Sequence, residues 1–253
     1  MSLSIQVNLD AGKPGNTGPA IIRPDSLFPL ARQLGYVLSL LVIRLPVSAN
    51  QVTFVSMGVG LTGCWLFTYG EVILNVYGAL LLVLSYALDY CDGVVARLKD
   101  QCSPGGAAFD DFVDWLVDTA IFAGLGYGAW IADGNIWWLW LGLIAAAGST
   151  VDYGVDLVRA NPFIQARKAA EKAAEQAASG MPDADALAAT TDGPEAEETL
   201  GQKLFYIFHT LSRAEFCFII LILSAFDVVW VLLPFGAIGA QAFWLGDLFR
   251  KRN

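Results

Sequence analysis

The sequence is poor in charge and in the residue types that build most soluble metal and redox sites. Only 15% of its 253 residues are charged, it has one histidine, and its four cysteines show neither zinc-binding nor disulfide spacing. Basic residues number 15 against 24 acidic ones, so the formal charge of −9 argues against a nucleic-acid partner. Residues 1–20 are polar and lack the apolar core of a cleavable signal peptide. Because the cysteines lack such spacing, they are interpreted as small hydrophobic residues.

Long apolar stretches are what the sequence has in abundance. It is 56% hydrophobic, and several runs reach the length of about 20 residues that a helix needs to cross a bilayer. We predict an all-α integral membrane protein with six transmembrane helices around a polar cavity that faces the cytoplasm. The predicted spans are 51–69, 72–91, 107–131, 135–158, 203–225 and 228–249.

Three segments flank or interrupt these spans. Residues 1–25 are rich in Gly, Pro, Asn and Asp, which predicts a mobile tail. Residues 26–45 hold apolar stretches broken by proline and arginine, which favours an interfacial helix. The six-helix domain then covers residues 46–253, with a cytoplasmic insertion at about 160–202. The acidic second half of this insertion is interpreted as a solvated linker without chemistry of its own.

The distribution of basic residues predicts the orientation. All 15 Lys and Arg fall on the side of the two termini or in the adjacent helix turns. The turns on the opposite side, near residues 70, 133 and 227, contain none. Positive charge favours the cytoplasmic side of a membrane. We therefore expect both termini to be cytoplasmic, in the cell (inner) membrane.

Four aspartates lie where long apolar stretches end or begin. Asp89 and Asp92 are three residues apart, and Asp110 and Asp114 are four apart, so each pair shares one face of a helix. Carboxylates in apolar surroundings are costly and normally mark a functional site. Four converging carboxylates repel one another, so either some are protonated or a cation lies among them. Oxygen ligands favour Mg²⁺ or Mn²⁺.

The residues between the aspartates favour phosphate chemistry. Gly93, Ala96 and Gly106 are small, so a ligand or another backbone can approach closely. Arg97 offers a fork of donors suited to a phosphate. Acidic groups for metal, together with an arginine for phosphate, indicate phosphoryl transfer.

The whole pattern resembles the signature of the CDP-alcohol phosphotransferases at every fixed position. It reads Asp89-x2-Asp92-Gly93-x2-Ala96-Arg97-x8-Gly106-x3-Asp110-x3-Asp114. The resemblance implies a membrane enzyme that transfers a substituted phosphate from a CDP-alcohol to an acceptor hydroxyl and releases CMP. It also implies that Asp89, Asp92 and Asp110 bind divalent metal, two ions of Mg²⁺ or Mn²⁺. Asp114 would contribute to the metal site and act as the general base.

The resemblance further implies a CDP pocket, a partner subunit and an acceptor site. The pocket would be lined by Gly93, Ala96, Arg97 and Gly106. Asn50 and Thr53 resemble residues near the nucleotide pocket at the start of the family's first membrane helix, although Ser48 or Asn50 could simply cap that helix. Arg213 resembles an arginine of members with a phosphorylated acceptor, and pairing with an aspartate is the alternative. Family members are commonly homodimers.

The substrates stay open at this stage. The favoured donor is CDP-diacylglycerol or a similar lipid, with a small polar acceptor, which makes the product a membrane phospholipid. The alternative enzyme uses a soluble CDP-polyol such as CDP-inositol, with an alcohol or sugar phosphate as acceptor. A divalent-cation channel or transporter with an acidic ring is a distant alternative, because it needs neither Arg97 nor the small residues beside it.

Other acidic residues lie within the predicted spans. Asp118 is one turn beyond Asp114, where it either supports the site or forms a hydrogen bond between helices. Asp111 points about 100° away from Asp110 and is not expected to be a ligand. Asp152 and Asp156 lie one turn apart and could contact substrate, a partner helix or water.

Overall fold

The computed structural model describes residues 30–160 and 216–250, and the elements in these two ranges are helices. In chain order they are α1 (Leu30–Val42), α2 (Ala49–Phe67), α3 (Val72–Leu98), α4 (Pro104–Asp133), α5 (Trp137–Ala160), α6 (Phe216–Ala225), a 3₁₀ turn (Val229–Val231) and α7 (Leu232–Arg250). The predicted all-α class is confirmed for these residues. The predicted tail at 1–25, the insertion from residue 161 onward and Arg213 lie outside them.

Helix α2 begins at a capping box. The Ser48 hydroxyl accepts a hydrogen bond from the Gln51 backbone N–H at 3.3 Å, and the Gln51 side-chain oxygen accepts one from the Ser48 N–H at 2.9 Å. This exchange satisfies two of the backbone donors that a helix start leaves unpaired. Of the two residues predicted to cap this helix, Ser48 is the one that does so.

Helices α3 and α4 are joined by a short connection, and both pack against α2. The predicted span ends at residue 91, but α3 continues to Leu98. Residues 92–98 are compatible with a helix, and the chain turns only at Asp100, where φ is 54°. Helix α4 starts with Ser103, whose hydroxyl accepts from the Gly106 N–H at 3.0 Å, and with Pro104 in its first turn. The whole aspartate pattern therefore lies on two helix ends that meet.

Three of the described helices are long and apolar enough to cross a membrane. They are α3, α4 and the part of α5 at Trp137–Val158. Helix α2 has 19 residues, but its first turns carry Asn50, Gln51 and Thr53. Only ten residues of α6 are described, and a 3₁₀ turn interrupts the chain before α7. The chain has the character of a membrane protein, while the count of six spans and the interfacial position of α1 remain predictions.

Glycines allow the helix backbones to approach closely. A Cβ at Gly124 of α4 would lie 2.5 Å from the Cys64 carbonyl oxygen of α2, and a Cβ at Gly63 would lie 2.7 Å from the Gly78 carbonyl oxygen of α3. These distances leave no room for a side chain, so α2 rests with its backbone against both neighbours. Close backbone approach at small residues is typical of helix packing in membranes.

The buried core lies where α2, α3 and α4 meet α6 and the start of α7. Its fully buried large side chains come from each of these helices, namely Phe67, Leu82, Ile121, Ile220 and Leu233. Helix α1 packs on the outside of α3, and α5 lies between α4 and α7. Three of the cysteines are buried as predicted, whereas Cys102 is exposed. This arrangement fixes the ends of α3 and α4 against the start of α2.

Candidate active site

Three of the four aspartates converge. Ligand oxygens of Asp89, Asp92 and Asp110 all lie within 4.8 Å of one another. Asp89 and Asp92 are one turn apart on α3, and Asp110 comes from the second turn of α4. Two helices therefore contribute to one cluster of carboxylates, which holds three of the four aspartates that were expected to converge.

The three carboxylates are shielded from water and incompletely satisfied. Asp92 is only 5% exposed, and the other two are partly buried. One oxygen of Asp89 and one of Asp110 are buried without a hydrogen-bond partner. Unpaired buried oxygens of carboxylates are costly, and a hard cation is the ligand that such a group of oxygens suits. The residues present therefore fit a divalent metal ion.

Thr53 supports this cluster directly. Its hydroxyl donates a hydrogen bond to Asp92 Oδ2 at 2.5 Å, and it also lies 3.2 Å from the Ala49 carbonyl oxygen. The side chain is 4% exposed. The family resemblance had suggested Thr53 for the CDP pocket, whereas its observed contact is to a predicted metal ligand. A short bond to a carboxylate fixes the orientation of that carboxylate.

Asp114 lies outside the cluster of three but close to it. It is one turn deeper along α4, it is exposed, and it lines a cavity of about 170 Å³. The cavity is bordered by residues of α2, α3 and α4, namely Ser56, Ser85, Tyr86, Asp89, Val113, Asp114, Val117 and Asp118. Asp114 therefore reaches a space that also touches Asp89.

The residues predicted for the nucleotide share one end of the helices. Arg97 is exposed, and its guanidinium lies beside Gly93, where a Cβ would be 3.4 Å from one terminal nitrogen. Its charge attracts that of Asp92. At the start of α4, a Cβ on Gly106 would lie 3.3 Å from the Asn50 side-chain oxygen. Asn50 of α2 thus faces the first turn of α4 at Gly106, while Arg97 lies over Gly93 of its own helix.

The cavity also contains contacts that the sequence analysis missed. The Tyr86 hydroxyl donates to Asp118 Oδ1 at 3.0 Å, which confirms the hydrogen bond between helices that was one of two predictions for Asp118. Ser56 and Ser85 bond each other's backbone carbonyls, at 3.0 and 2.9 Å. Tyr86 lies three residues before Asp89, on the same helix face, and this spacing is the signal that could have identified it.

These features define a helical membrane protein with a carboxylate cluster beside an arginine and a polar cavity. The family model for the CDP-alcohol phosphatidyltransferases matches residues 46–191, which is more than half of the chain. The chain therefore belongs to the CDP-alcohol phosphatidyltransferase family.

A relative from Rubrobacter xylanophilus is 37% identical over 84 residues. It is described as a bifunctional IPC transferase and DIPP synthase. The matched stretch covers 33% of this chain and 19% of the relative. The similarity therefore concerns one part of a much longer protein.

Proposed function

We propose that this chain transfers a substituted phosphate from a CDP-alcohol to an acceptor alcohol and releases CMP. The observation that carries the proposal is the cluster of Asp89, Asp92 and Asp110, whose ligand oxygens lie within 4.8 Å of one another. The cluster adjoins a cavity that Asp114 lines. Membership of the family supports the same reaction class.

Asp89, Asp92 and Asp110 are the residues that would hold the divalent metal, one or two ions of Mg²⁺ or Mn²⁺. Bound metal would neutralise the donor pyrophosphate and stabilise the charge on the departing CMP. The buried unpaired oxygens of Asp89 and Asp110 support this assignment, because a bound cation would compensate the cost of burying them. Thr53 holds Asp92 in one orientation through its hydroxyl.

The chain's own residues supply the proton transfer. The acceptor oxygen forms a bond to the phosphorus that carries the donor alcohol, and the bond from that phosphorus to the bridging oxygen breaks. CMP leaves with the bridging oxygen, and the acceptor proton moves to a carboxylate oxygen of Asp114. A hydroxyl needs such a base because it is a poor nucleophile near neutral pH. The position of Asp114 in the cavity, outside the cluster of three, supports this role.

The nucleotide part of the donor would bind across the cytoplasmic ends of α2, α3 and α4. Arg97 would hold a phosphate through its forked guanidinium. Gly93, Ala96 and Gly106 would let the donor approach the helix backbones, and Asn50 would contact it from α2. The placement of all 15 Lys and Arg on the side of these helix ends or in the adjacent helix turns supports a cytoplasmic active site in the cell (inner) membrane.

CDP-diacylglycerol, or a similar lipid donor, is our favoured substrate. The cluster lies on α3 and α4, two helices that are long and apolar enough to cross a membrane. A lipid donor could keep its acyl chains in the bilayer while its headgroup reaches the aspartates. The acceptor would then be a small polar alcohol, and the product a phospholipid.

A soluble CDP-polyol is the second candidate donor. The description of the Rubrobacter relative as an IPC transferase and DIPP synthase favours chemistry of the CDP-inositol type. With such a donor, the acceptor would be an alcohol or a sugar phosphate.

Neighbouring aspartates provide a matched test of the reaction class. Purified protein in liposomes, supplied with Mn²⁺, donor and acceptor, should release CMP. Asp110→Asn should abolish the release, whereas Asp111→Asn should retain most of it, because Asp111 is exposed and outside the cluster. Equal activity of the two variants would contradict the assignment. Divalent-cation flux without CMP release would support a channel instead.

The donor is best identified by direct competition. CDP-diacylglycerol and CDP-inositol would be offered together, with inositol, serine and their phosphorylated counterparts as acceptors, and the products measured by mass spectrometry. A phospholipid as main product supports the lipid donor. A water-soluble or polyol-phosphate product requires the CDP-polyol alternative.

A further inference from the structure

The chain that connects α1 to α2 is attached to the connection between α3 and α4 by two side chains. Lys99 Nζ donates hydrogen bonds to the Leu45 and Val47 carbonyl oxygens, at 2.8 and 2.7 Å. Gln101 Oε1 accepts one from the Ala49 backbone N–H at 2.9 Å. Ala49 is the first residue of α2, and its N–H has no partner within the helix. Both contacts therefore hold the start of α2.

The geometry of the turn at the end of α3 directs both side chains. Asp100 has a φ of 54°, and the Gln101 N–H donates to the Ala96 carbonyl oxygen at 2.8 Å. The Lys99 N–H still bonds the Val95 carbonyl oxygen at 2.9 Å. With Asp100 as the left-handed residue, the bond from Gln101 to Ala96 is the 6→1 bond that is found at Schellman helix ends. Lys99 and Gln101 flank the left-handed residue, and both reach the same neighbouring segment.

The attached segment carries Asn50 toward the first turn of α4. Asn50 follows Ala49 directly, and its side-chain oxygen lies 3.3 Å from where a Cβ on Gly106 would be. The attaching residues follow Arg97 closely in sequence, so Asn50 and Arg97 are positioned from one short connection. A shift of the first turn of α2 would change the width of the gap between Asn50 and Gly106.

We propose that Lys99 and Gln101 are positioning residues for the nucleotide part of the donor. They hold the first turn of α2 at a fixed distance from Arg97 and Gly106, and they act through Asn50 rather than by touching the substrate. The inference rests on the proposed function, since it takes CMP as the product that binds in this gap. Thr53 lies one turn deeper, is 4% exposed and bonds Asp92 directly, so its contact with this metal ligand uses neither attaching side chain.

The test compares CMP binding with Mn²⁺ binding in full-length protein purified in detergent, measured by calorimetry. Gln101→Leu removes the acceptor and should weaken CMP binding about fivefold, the equivalent of one net hydrogen bond. Lys99→Met removes two charge-assisted bonds and should weaken it at least about tenfold. Mn²⁺ affinity should stay unchanged in both variants.

Three control variants keep the contact or remove an unrelated charge. Gln101→Glu keeps an acceptor oxygen, and Lys99→Arg keeps donors and charge, so both should bind CMP within about twofold of the wild type. Arg44→Met removes an exposed charge from the same connection and should behave likewise. Wild-type CMP affinity in Gln101→Leu and Lys99→Met, or a parallel loss of CMP and Mn²⁺ binding, would overturn the positioning role. A wild-type protein that binds no CMP would overturn the proposed function itself.

Discussion

Replacing Thr53 by valine removes one hydroxyl and almost nothing else. Threonine and valine have nearly the same shape, so Thr53→Val should leave the packing of α2 against α3 intact. It deletes the hydrogen bond of 2.5 Å to Oδ2 of Asp92, and Asp92 is only 5% exposed. A hydrogen bond to a charged group contributes about 1.5–3 kcal/mol. Asp92 would lose its fixed orientation and would have to be ordered again when metal binds.

We therefore expect Thr53→Val to weaken Mn²⁺ binding by about 10-fold or more, the usual range for groups that orient metal ligands. Titration of Mn²⁺ into purified protein, followed by electron paramagnetic resonance, would measure this affinity directly. Thr53→Ser keeps the hydroxyl and is the matched control, with affinity close to that of the wild type. If Thr53→Val bound Mn²⁺ normally and lost affinity only for CMP, the hydroxyl would serve the nucleotide pocket and our reasoning would be wrong.

Four further predictions concern the general base, the nucleotide pocket, the acceptor and the topology. Asp114→Asn keeps the size of the side chain but cannot take a proton, so CMP release should slow by about 10²–10⁴-fold while Mn²⁺ binding is retained. Asp89→Asn should instead lose the metal. If Asp114→Asn turned over within tenfold of the wild type, Asp114 would be excluded as the base. Arg97→Lys should weaken binding of CMP but not of Mn²⁺, because a forked contact becomes a point contact, and equal CMP affinity would remove Arg97 from the pocket. Arg213→Ala should raise the acceptor KM far more than the donor KM if the acceptor is phosphorylated; unchanged kinetics would indicate a structural ion pair. A cysteine introduced at position 133 should react with an impermeant reagent on intact cells, while a cysteine in the N-terminal tail should not; labelling of the tail would reverse the topology.

The aspartate cluster was predictable because helix geometry relates sequence spacing to position. Asp89 and Asp92 had to share a face once α3 was helical, and so did Asp110 and Asp114 on α4. What brings the two pairs together is a turn, and the turn depends on Asp100 adopting a positive φ. The hydrophobic periodicity of a sequence does not predict a positive φ in a non-glycine residue. The predicted span therefore stops seven residues before the end of α3 at Leu98.

Contacts between distant residues escaped prediction for a different reason. Thr53 and Asp92 are 39 residues apart, and Tyr86 and Asp118 are 32 apart. Their meeting depends on the rotation of each helix about its own axis, which the packing of neighbouring side chains sets. A nearly uniform apolar sequence around the whole helix carries little information about that rotation. The sequence identified Asp118 as unusual but could not choose its partner.

The backbone contacts of α2 have a consequence for how this enzyme can change its substrate. Gly124 and Gly63 bring α2 against α4 and α3 with no room for a side chain at either position, so a larger residue there would push the helices apart. Directed evolution for a new acceptor would therefore gain little from mutations that loosen the bundle. The productive positions are side chains that line the cavity, such as Tyr86 and Ser85. If the proposed function holds, a rigid frame with replaceable lining would let this chain keep one reaction while its acceptor changes.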